Sequence, residues 1–386
     1  MKPCLPPLLL TRAKKKKKKK KMKSPPFLSF DLVTQILLRL PVKSLIIFKC
    51  VCKLWFSFIS DPNFANSHFH LSQSTHNRRI LCRSRLYYKF RSIDFESSIN
   101  HESTSLNLNG IPQSNSHLEI KGSCRGFICL QHRSKSKFYL WNPSTGFHRP
   151  IPFSPFYSSL QTNKFTQHLY GFGYDKSRDD YLLVLFSLGF FSPHLEFFSL
   201  RDNMWTEIEC PHIRCRSPYD NMGTLFNGAI HWLVYRRDLR VGPKAIAVFD
   251  LMGRKLLDMS LPHDLNHAHV NYNLLVSGEF LSLCVMQCGN HGSYNNKFKM
   301  WVMKDYKLHS SWTKILDIDF PTLNFSPICF TKSGDIIGTD SEVGLIKYND
   351  KGQRLEYHKD FKNLFRFKVA VYTESLLSLP GKFEQN

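Results

Sequence analysis

The stretch YLWNPSTGFHRPIP, Tyr139–Pro152, reads as a strand, a tight turn and a second strand. Its first apolar run ends at Trp141, and Asn, Pro, Ser, Thr and Gly spell the turn. A second apolar anchor, Phe147, follows. The pattern returns in FFSLRDNMWTEIE (Phe197–Glu209), AVFDLMGRKLLDMSLP (Ala247–Pro262) and IKYNDKGQRLEYH (Ile346–His358). The leading aromatics are Trp141, Phe198, Phe249, Trp301 and Tyr348, at steps of 57, 51, 52 and 47 residues. Their anchors are Phe147, Trp205, Leu256, Trp312 and Leu355, with a longer turn only in the Trp301 unit.

A glycine followed by an apolar strand precedes most of these hairpins: Gly126 in CRGFICL, Gly228 in FNGAIHWLV, Gly278 in SGEFLSLCV and Gly334 in KSGDIIGTD. In the remaining unit GFGYDKSRDDYLLVLF takes the same place. A strand plus a hairpin at a period near 50 is what a propeller blade requires. One such sheet leaves both faces bare; stacked radially, each blade covers the next and closure protects the edges. Five units are counted from Gly122 to His358, and Arg79–Phe90 with Phe367–Leu379 would supply a closing blade, giving about six. The rival is a β-sandwich in which the period is coincidence. The two differ in one respect: in a propeller, Trp141, Phe198 and Phe249 occupy equivalent buried positions.

The chain has 386 residues, 42% hydrophobic and 14% aromatic, enough for a sizeable core. Its net charge of +23 suggests nucleic acid, but the distribution does not. Residues 1–23 hold Lys2, Arg12, Lys14 to Lys21 and Lys23 with no acid, leaving roughly +12 for the rest. We expect this run to be a disordered tail, with nuclear import or phosphate binding as its functional alternatives and Met22 as an alternative start. Eleven scattered cysteines do not form a small secreted disulfide frame. CLPPLLL is too short and proline-broken for a signal peptide, and the longest apolar run, Tyr181–Phe191, is too short for a membrane span. These features predict an intracellular protein of the nucleus, the cytoplasm or both.

Residues 27–60 have a different texture. In LSFDLVTQILLRLP, the residues Leu32, Val33, Ile36, Leu37 and Leu40 recur at helical spacing, with Ser29 placed to cap and Asp31 in the first turn. Pro41 ends that helix and opens VKSLIIFKCV; CKLWFSFIS forms a third, closed by Ser60 to Pro62. Three helices in about 35 residues cannot bury all these apolar side chains among themselves. Cys50 and Cys52 lack ligands at zinc spacing and are expected to be small buried hydrophobes. What remains is a protein partner, or packing against the rest of the chain; periodicity alone does not separate these.

LSFDLVTQILLRLPVKSLIIFKCVCKLWFSFISDPNF resembles an F-box, the helical module that docks on the Skp-family adaptor of SCF-type ubiquitin ligases. By that resemblance Leu28, Leu32, Ile36, Leu37, Leu40, Pro41, Val42, Leu45, Phe48, Val51, Cys52 and Trp55 face the adaptor or the module's own small core. F-boxes usually open with Leu-Pro; here Ser29 follows Leu28, which implies weakened rather than abolished docking. GSCRGFICL, LWNPSTG, YGFGYDKSRDDYLLV, LFNGAIHWL, IAVFDL, MWVMKDY and VYTESLLSL resemble, in order, the type-one F-box-associated, kelch-like domain of plant F-box proteins, which recruits the target. The expected fold is mainly β, a three-helix F-box followed by a β-propeller-like domain. Its expected divisions are a tail at 1–23, the F-box at 24–65, a polar linker at 66–78, the propeller at 79–380 and a tail at 381–386.

Catalytic patterns are weak. GFGYD lacks the third glycine of a dinucleotide loop. Cys284, Cys288 and His291, or His263, His267 and His269, fit no closed zinc pattern. No Ser-His-Asp arrangement has local support. We therefore expect a non-catalytic receptor subunit with no cofactor or obligate metal. Its expected partners are the adaptor, cullin and RING subunits beyond it, and an unknown client, with no membrane. The alternatives are a propeller scaffold outside any ligase and a nucleic-acid binder driven by the lysines. Aromatic-rich connections are the expected client surface, with Phe153, Phe156, Tyr157, Phe190, Phe191, Arg214, Arg216 and Tyr219 as candidates. The arginines suggest an acidic or phosphorylated client.

Overall fold

The computed structural model describes residues 29–74, 78–83, 90–99, 105–107, 118–132, 137–156, 167–188, 193–210, 215–216, 222–236, 245–263, 265, 270–287, 296–322, 324–340, 343–358 and 369–380. Helices α1 (Phe30–Leu37), α2 (Val42–Phe48), α3 (Lys53–Ile59) and α4 (Pro62–Ser74) come first. The chain divides into two compact units: residues 1–37, which hold α1, and residues 38–386, which hold everything else.

Capping chemistry sets the helix ends. Ser29 Oγ accepts the Leu32 N–H at 3.3 Å, so the serine in the usual proline position caps α1. Pro41 and Cys52 hold extended backbone just before α2 and α3. The fourth helix corrects an expectation: the residues read as a polar linker from 66 are helical as far as Ser74. Asp61 Oδ1 accepts the N–H groups of Asn63 at 2.8 Å and Phe64 at 3.1 Å. Pro62 takes the first helical position, where its missing N–H costs nothing.

The strands that follow are β1 (Arg78–Arg83), β2 (Phe90–Ile93) and β3 (Ser105–Asn107). Blade 1 holds β4 (Leu118–Cys124), β5 (Phe127–His132), β6 (Lys137–Trp141) and β7 (His148–Ile151). Blade 2 holds β8 (Gln167–Asp175), β9 (Asp180–Leu188), β10 (Pro193–Ser199) and β11 (Met204–Ile208). Blade 3 holds β12 (Cys215–Arg216), β13 (Thr224–Phe226), β14 (Ala229–Arg236), β15 (Ala245–Asp250) and β16 (Lys255–Met259). Blade 4 holds β17 (Val270–Ser277), β18 (Phe280–Gln287), β19 (Asn296–Met303) and β20 (Trp312–Phe320). Blade 5 holds β21 (Phe325–Phe330), β22 (Ile336–Asp340), β23 (Gly344–Tyr348) and β24 (Arg354–His358). In blade 6, β25 (Ala370–Thr373) pairs with β1, Ile80 opposite Val371, and β2 and β3 complete the sheet.

The inner strands β4, β8, β13, β17, β21 and β25 touch in that order, and β25 returns to β4. The structure is a six-bladed propeller closed by strands from both ends of the chain. Trp141, Phe198, Phe249, Trp301 and Tyr348 all lie on the third strand of their blades and are all buried, so the sandwich reading falls. Two anchors face their aromatics in register, Trp205 opposite Phe198 and Leu256 opposite Phe249. The others do not: Trp141 faces His148, and Trp301 faces Lys314 while Trp312 faces Met303. Leu355 is displaced by a bulge, which pairs Lys347 with Glu356 and Tyr348 with Arg354 and leaves Leu355 unpaired and half-exposed.

Apolar clusters join neighbouring blades. Val184, Phe186 and Phe197 of blade 2 pack with Ile230, Trp232 and Phe249 of blade 3. Ile80 and Ile93 of blade 6 pack with Ile337 and Leu345 of blade 5. GFGYD takes its meaning here: a Cβ on Gly171 would lie 2.6 Å from Ile230 and 2.8 Å from Trp232. Its glycines serve close blade packing.

Antiparallel order gives the propeller two unlike faces. In blades 1 to 5 the first and third connections lie on one, the turn face, and span two to eight residues. The second strand ends, the third begins and the fourth ends on the other, the loop face. In blade 6, β1 starts beside Thr373 at the end of β25, so the helical segment joins the propeller on the turn face.

Candidate functional site

Two surfaces have the composition of docking sites. The first is helical. Among the described residues, seven of the sixteen exposed large apolar side chains lie between Phe30 and Phe56: Phe30, Leu32, Ile36, Ile47, Val51, Leu54 and Phe56. Val51 and Leu54 are 63% and 64% exposed. On α1 these are Phe30, Leu32 and Ile36; from α2 to α3 they are Ile47, Val51, Leu54 and Phe56; each set is apolar surface that water does not favour.

The predicted adaptor residues divide into three groups. Leu32, Ile36, Pro41, Val51 and Cys52 are exposed; Leu40, Phe48 and Trp55 are half-buried; Leu37, Val42 and Leu45 are buried. Leu28 lies outside the described residues. Phe48 and Trp55 meet edge-to-face, with ring centroids 5.2 Å apart, and tie α2 to α3. One expectation is corrected: Cys50 and Cys52, read as small buried hydrophobes, are both exposed. The α2–α3 corner turns them outward, and Cys52 precedes the first residue of α3. Sequence reasoning passed over Phe30, Ile47, Leu54 and Phe56. The missed signal on α2 and α3 was that only Val42, Leu45 and Ile59 there are buried, which leaves Ile47, Leu54 and Phe56 as exposed apolar side chains.

Helix α4 supports this segment from behind. Phe64, Ala65, His68 and Phe69 are buried. Phe64 packs on Phe58 at 4.9 Å between centroids. His68 Nε2–H donates to the Leu40 carbonyl at 2.9 Å, which leaves Nδ1 to accept from Ser72 Oγ at 3.4 Å. Burial lowers the His68 pKa, partly offset by the Leu40 carbonyl, so the ring is held neutral. Burial likewise raises the Glu374 carboxyl, just past β25, against the pull of Arg79 and of Lys43 from α2.

The second surface is the loop face, where the strands flanking every client candidate end. Phe153 and Phe156 follow β7 and are 45% and 37% exposed. Phe153 stands free enough for the Lys137 ammonium to lie 5.9 Å from its ring centre. Phe156 is not a loose anchor: it stacks on His194 with centroids 3.3 Å apart. His194 is in turn 3.0 Å from Glu207, and Ser154 donates to Glu196 at 2.5 Å. Tyr157, Phe190, Phe191, Arg214 and Tyr219 lie outside the described residues; Arg216 belongs to β12, and its side chain is not described.

The described cysteines are not poised as nucleophiles. Cys124 and Cys329 are buried, and desolvation pushes both thiols up to about 12; Cys82, Cys129 and Cys284 are raised in the same way. A nucleophilic thiolate needs the opposite shift. Among the described residues no group of three or more His, Cys, Asp or Glu is placed to hold a metal. Of the histidine trio only His263 is described, 4.2 Å from the ring of His309; Cys288, His291, His267 and His269 lie outside the described residues. Among the described residues, no helix is long and apolar enough to cross a membrane.

Comparison with known proteins follows the same division. The F-box domain model matches residues 27–67, and the model described as an F-box associated beta propeller domain matches 78–372. The chain is 30% identical over 321 residues to the F-box protein CPR1 of Arabidopsis thaliana, covering 75% of this chain and 73% of that protein. It is 27% identical to an F-box/kelch-repeat protein of the same plant, covering 87% and 91% respectively. Among solved structures, TolB from Acinetobacter baumannii aligns over 80% of this chain and 72% of its own at 11% identity. Its TM-score of 0.45 is too low to argue from.

Proposed function

Because the chain belongs to the F-box proteins that carry an F-box associated beta propeller domain, we propose that it is the substrate-recognition subunit of an SCF-type ubiquitin ligase. The observation that carries the reading is the cluster of exposed apolar side chains between α2 and α3, Ile47, Val51, Leu54 and Phe56. They are the residues a Skp-family adaptor would cover, and the buried Val42, Leu45 and Ile59 hold the helices that present them. The propeller takes the client on its loop face, with Phe153 the exposed aromatic best placed to enter a partner's pocket. Bond chemistry is then left to the conjugating enzyme brought by the cullin and RING subunits. This chain contributes effective concentration, holding client lysines near the activated ubiquitin.

Leu54→Asp tests the reading without touching the core. Proximity labelling in plant cells under proteasome inhibition compares the intact chain with this variant. Clients should be labelled by both and should turn over, once the inhibitor is washed out, only with the intact chain. If equal turnover accompanies both chains, the protein works outside a ligase as a scaffold and the proposal is wrong.

A further inference from the structure

The turn between β4 and β5 carries an unexpected residue. Arg125 and Gly126 both have positive φ, 48° and 82°. A two-residue hairpin of that shape favours Asn-Gly, and blade 3 has Asn227-Gly228 at the same turn, with φ of 44° and 70°. Arginine is a poor choice for left-handed backbone, so its side chain is the place to look for a reason.

That side chain lies between blade 2 and α4. Nη2 donates to Asn66 Oδ1 at 2.7 Å and Nε to the Tyr181 hydroxyl at 3.3 Å. The guanidinium sits 4.1 Å from the centre of the Tyr174 ring and 5.2 Å from that of Phe69. Asn66 and Phe69 are three apart on one face of α4, while Phe64 and His68 on another hold Phe58 and the Leu40 carbonyl. Helix α4 is therefore shared: one side belongs to the adaptor-facing helices, the other is gripped by the propeller.

Two other basic residues with positive φ show what is particular to Arg125. Arg254 reaches back only to blade 2, 3.6 Å from Asp180 and over the Phe197 ring. Lys307 reaches Asp250 of blade 3 at 3.9 Å. Each staples one blade to its neighbour. Arg125 does the same toward Tyr181 and adds the helix.

We infer that Arg125 is a positioning residue, a clasp that fixes α4, and through it α2 and α3, at one angle to the propeller. Its value for ubiquitin transfer rests on the receptor reading above; the clasp itself does not. A client on the loop face is then presented to the conjugating enzyme at a set distance rather than on a free tether.

The test uses the full chain with Arg125→Asn, which suits the turn and removes the clasp. Hydrogen exchange should quicken roughly tenfold across α4 and clearly less in β8 and β9, whose Tyr174 and Tyr181 also lose a contact, with β4 and β5 least affected. Asn66→Ala should loosen α4 in the same direction, and the double variant should add little beyond Arg125→Asn. The distance distribution between spin labels at exposed Ser57 and Lys255 should broaden. Adaptor affinity should be the same in wild type and variant. Unchanged α4 exchange, acceleration shared equally by the blades, or simple additivity would overturn the clasp. Failure of the wild-type chain to bind the adaptor would instead defeat the receptor reading, leaving the exchange data to judge the clasp alone.

Discussion

Strand β9 and helix α3 are built from similar material and meet opposite fates. DYLLVLFSL is buried at all nine positions; KLWFSFI is buried only at Ile59. In β9 the neighbouring blade covers the side chains, with Ile230 and Trp232 against Val184 and Phe186. In α3, Leu54 and Phe56 face outward in the isolated chain. Apolar residues in the propeller answer to this chain's own stability. On the receptor reading those in the helical segment answer to another molecule, and the two groups should then respond to substitution in opposite ways.

Phe249→Ala should have the largest effect on stability. Phe249 is fully buried between blades, and its truncation should cost about 3–5 kcal/mol, read as a lower denaturation midpoint. A loss under about 1 kcal/mol would mean that the blade interfaces are not the core. Next comes Gly126→Ala. The position has φ +82, and an added Cβ would lie 2.2 Å from the Ser375 Cβ. That serine belongs to the strap after β25, which Asn142 Nδ2 holds through the carbonyls of Ser375 and Leu377 at 3.1 and 3.3 Å. We expect a loss of about 2 kcal/mol or more, with melting that begins at the closure between blades 6 and 1.

Asp61→Ala removes the cap of α4 and should cost about 1 kcal/mol, seen as faster exchange at Asn63 and Phe64. A smaller effect comes from pH. His68 has a lowered pKa in the fold and about 6.5 in the unfolded chain. As pH falls through the unfolded value the unfolded chain takes the proton first, so the α4 contact is intact above about pH 6.5 and weakens below it. His68→Gln should flatten that dependence; an identical acid profile would show that other groups govern it.

The sequence and the structure agree where one local pattern repeats. In blades 1 to 5 the third strand carries an aromatic near its end, before a turn with Asn, Asp or Gly, so five blades could be counted and a sixth placed across the two ends. The positive φ at Gly126, Gly228, Gly278 and Gly334, and at Asp179 in the blade without the glycine, matches the turns the sequence called for. Legibility failed where burial depends on distant partners. Helix α4 looked like a linker because two of its five buried residues are His68 and Ser72, polar residues satisfied by the Leu40 carbonyl and by each other. Asp61-Pro62 was its readable signal. Leu355 looked like an anchor because a one-residue bulge is invisible to spacing. Cys50 and Cys52 looked buried because a stripe made for a partner has the same period as one made for a core. The stacking of Phe156 on His194 was not legible, because it joins the link after blade 1 to a strand of blade 2.

Titration of the full-length chain with a purified Skp-family adaptor, in parallel with its thermal unfolding, tests the division most directly. The account predicts tight binding with a negative heat-capacity change for the native chain. It predicts that Ile47→Ala with Leu54→Ala weakens binding roughly 100-fold while the melting temperature stays within about 2 °C. Binding indifferent to that pair of substitutions, or a melt that falls with them, would contradict it.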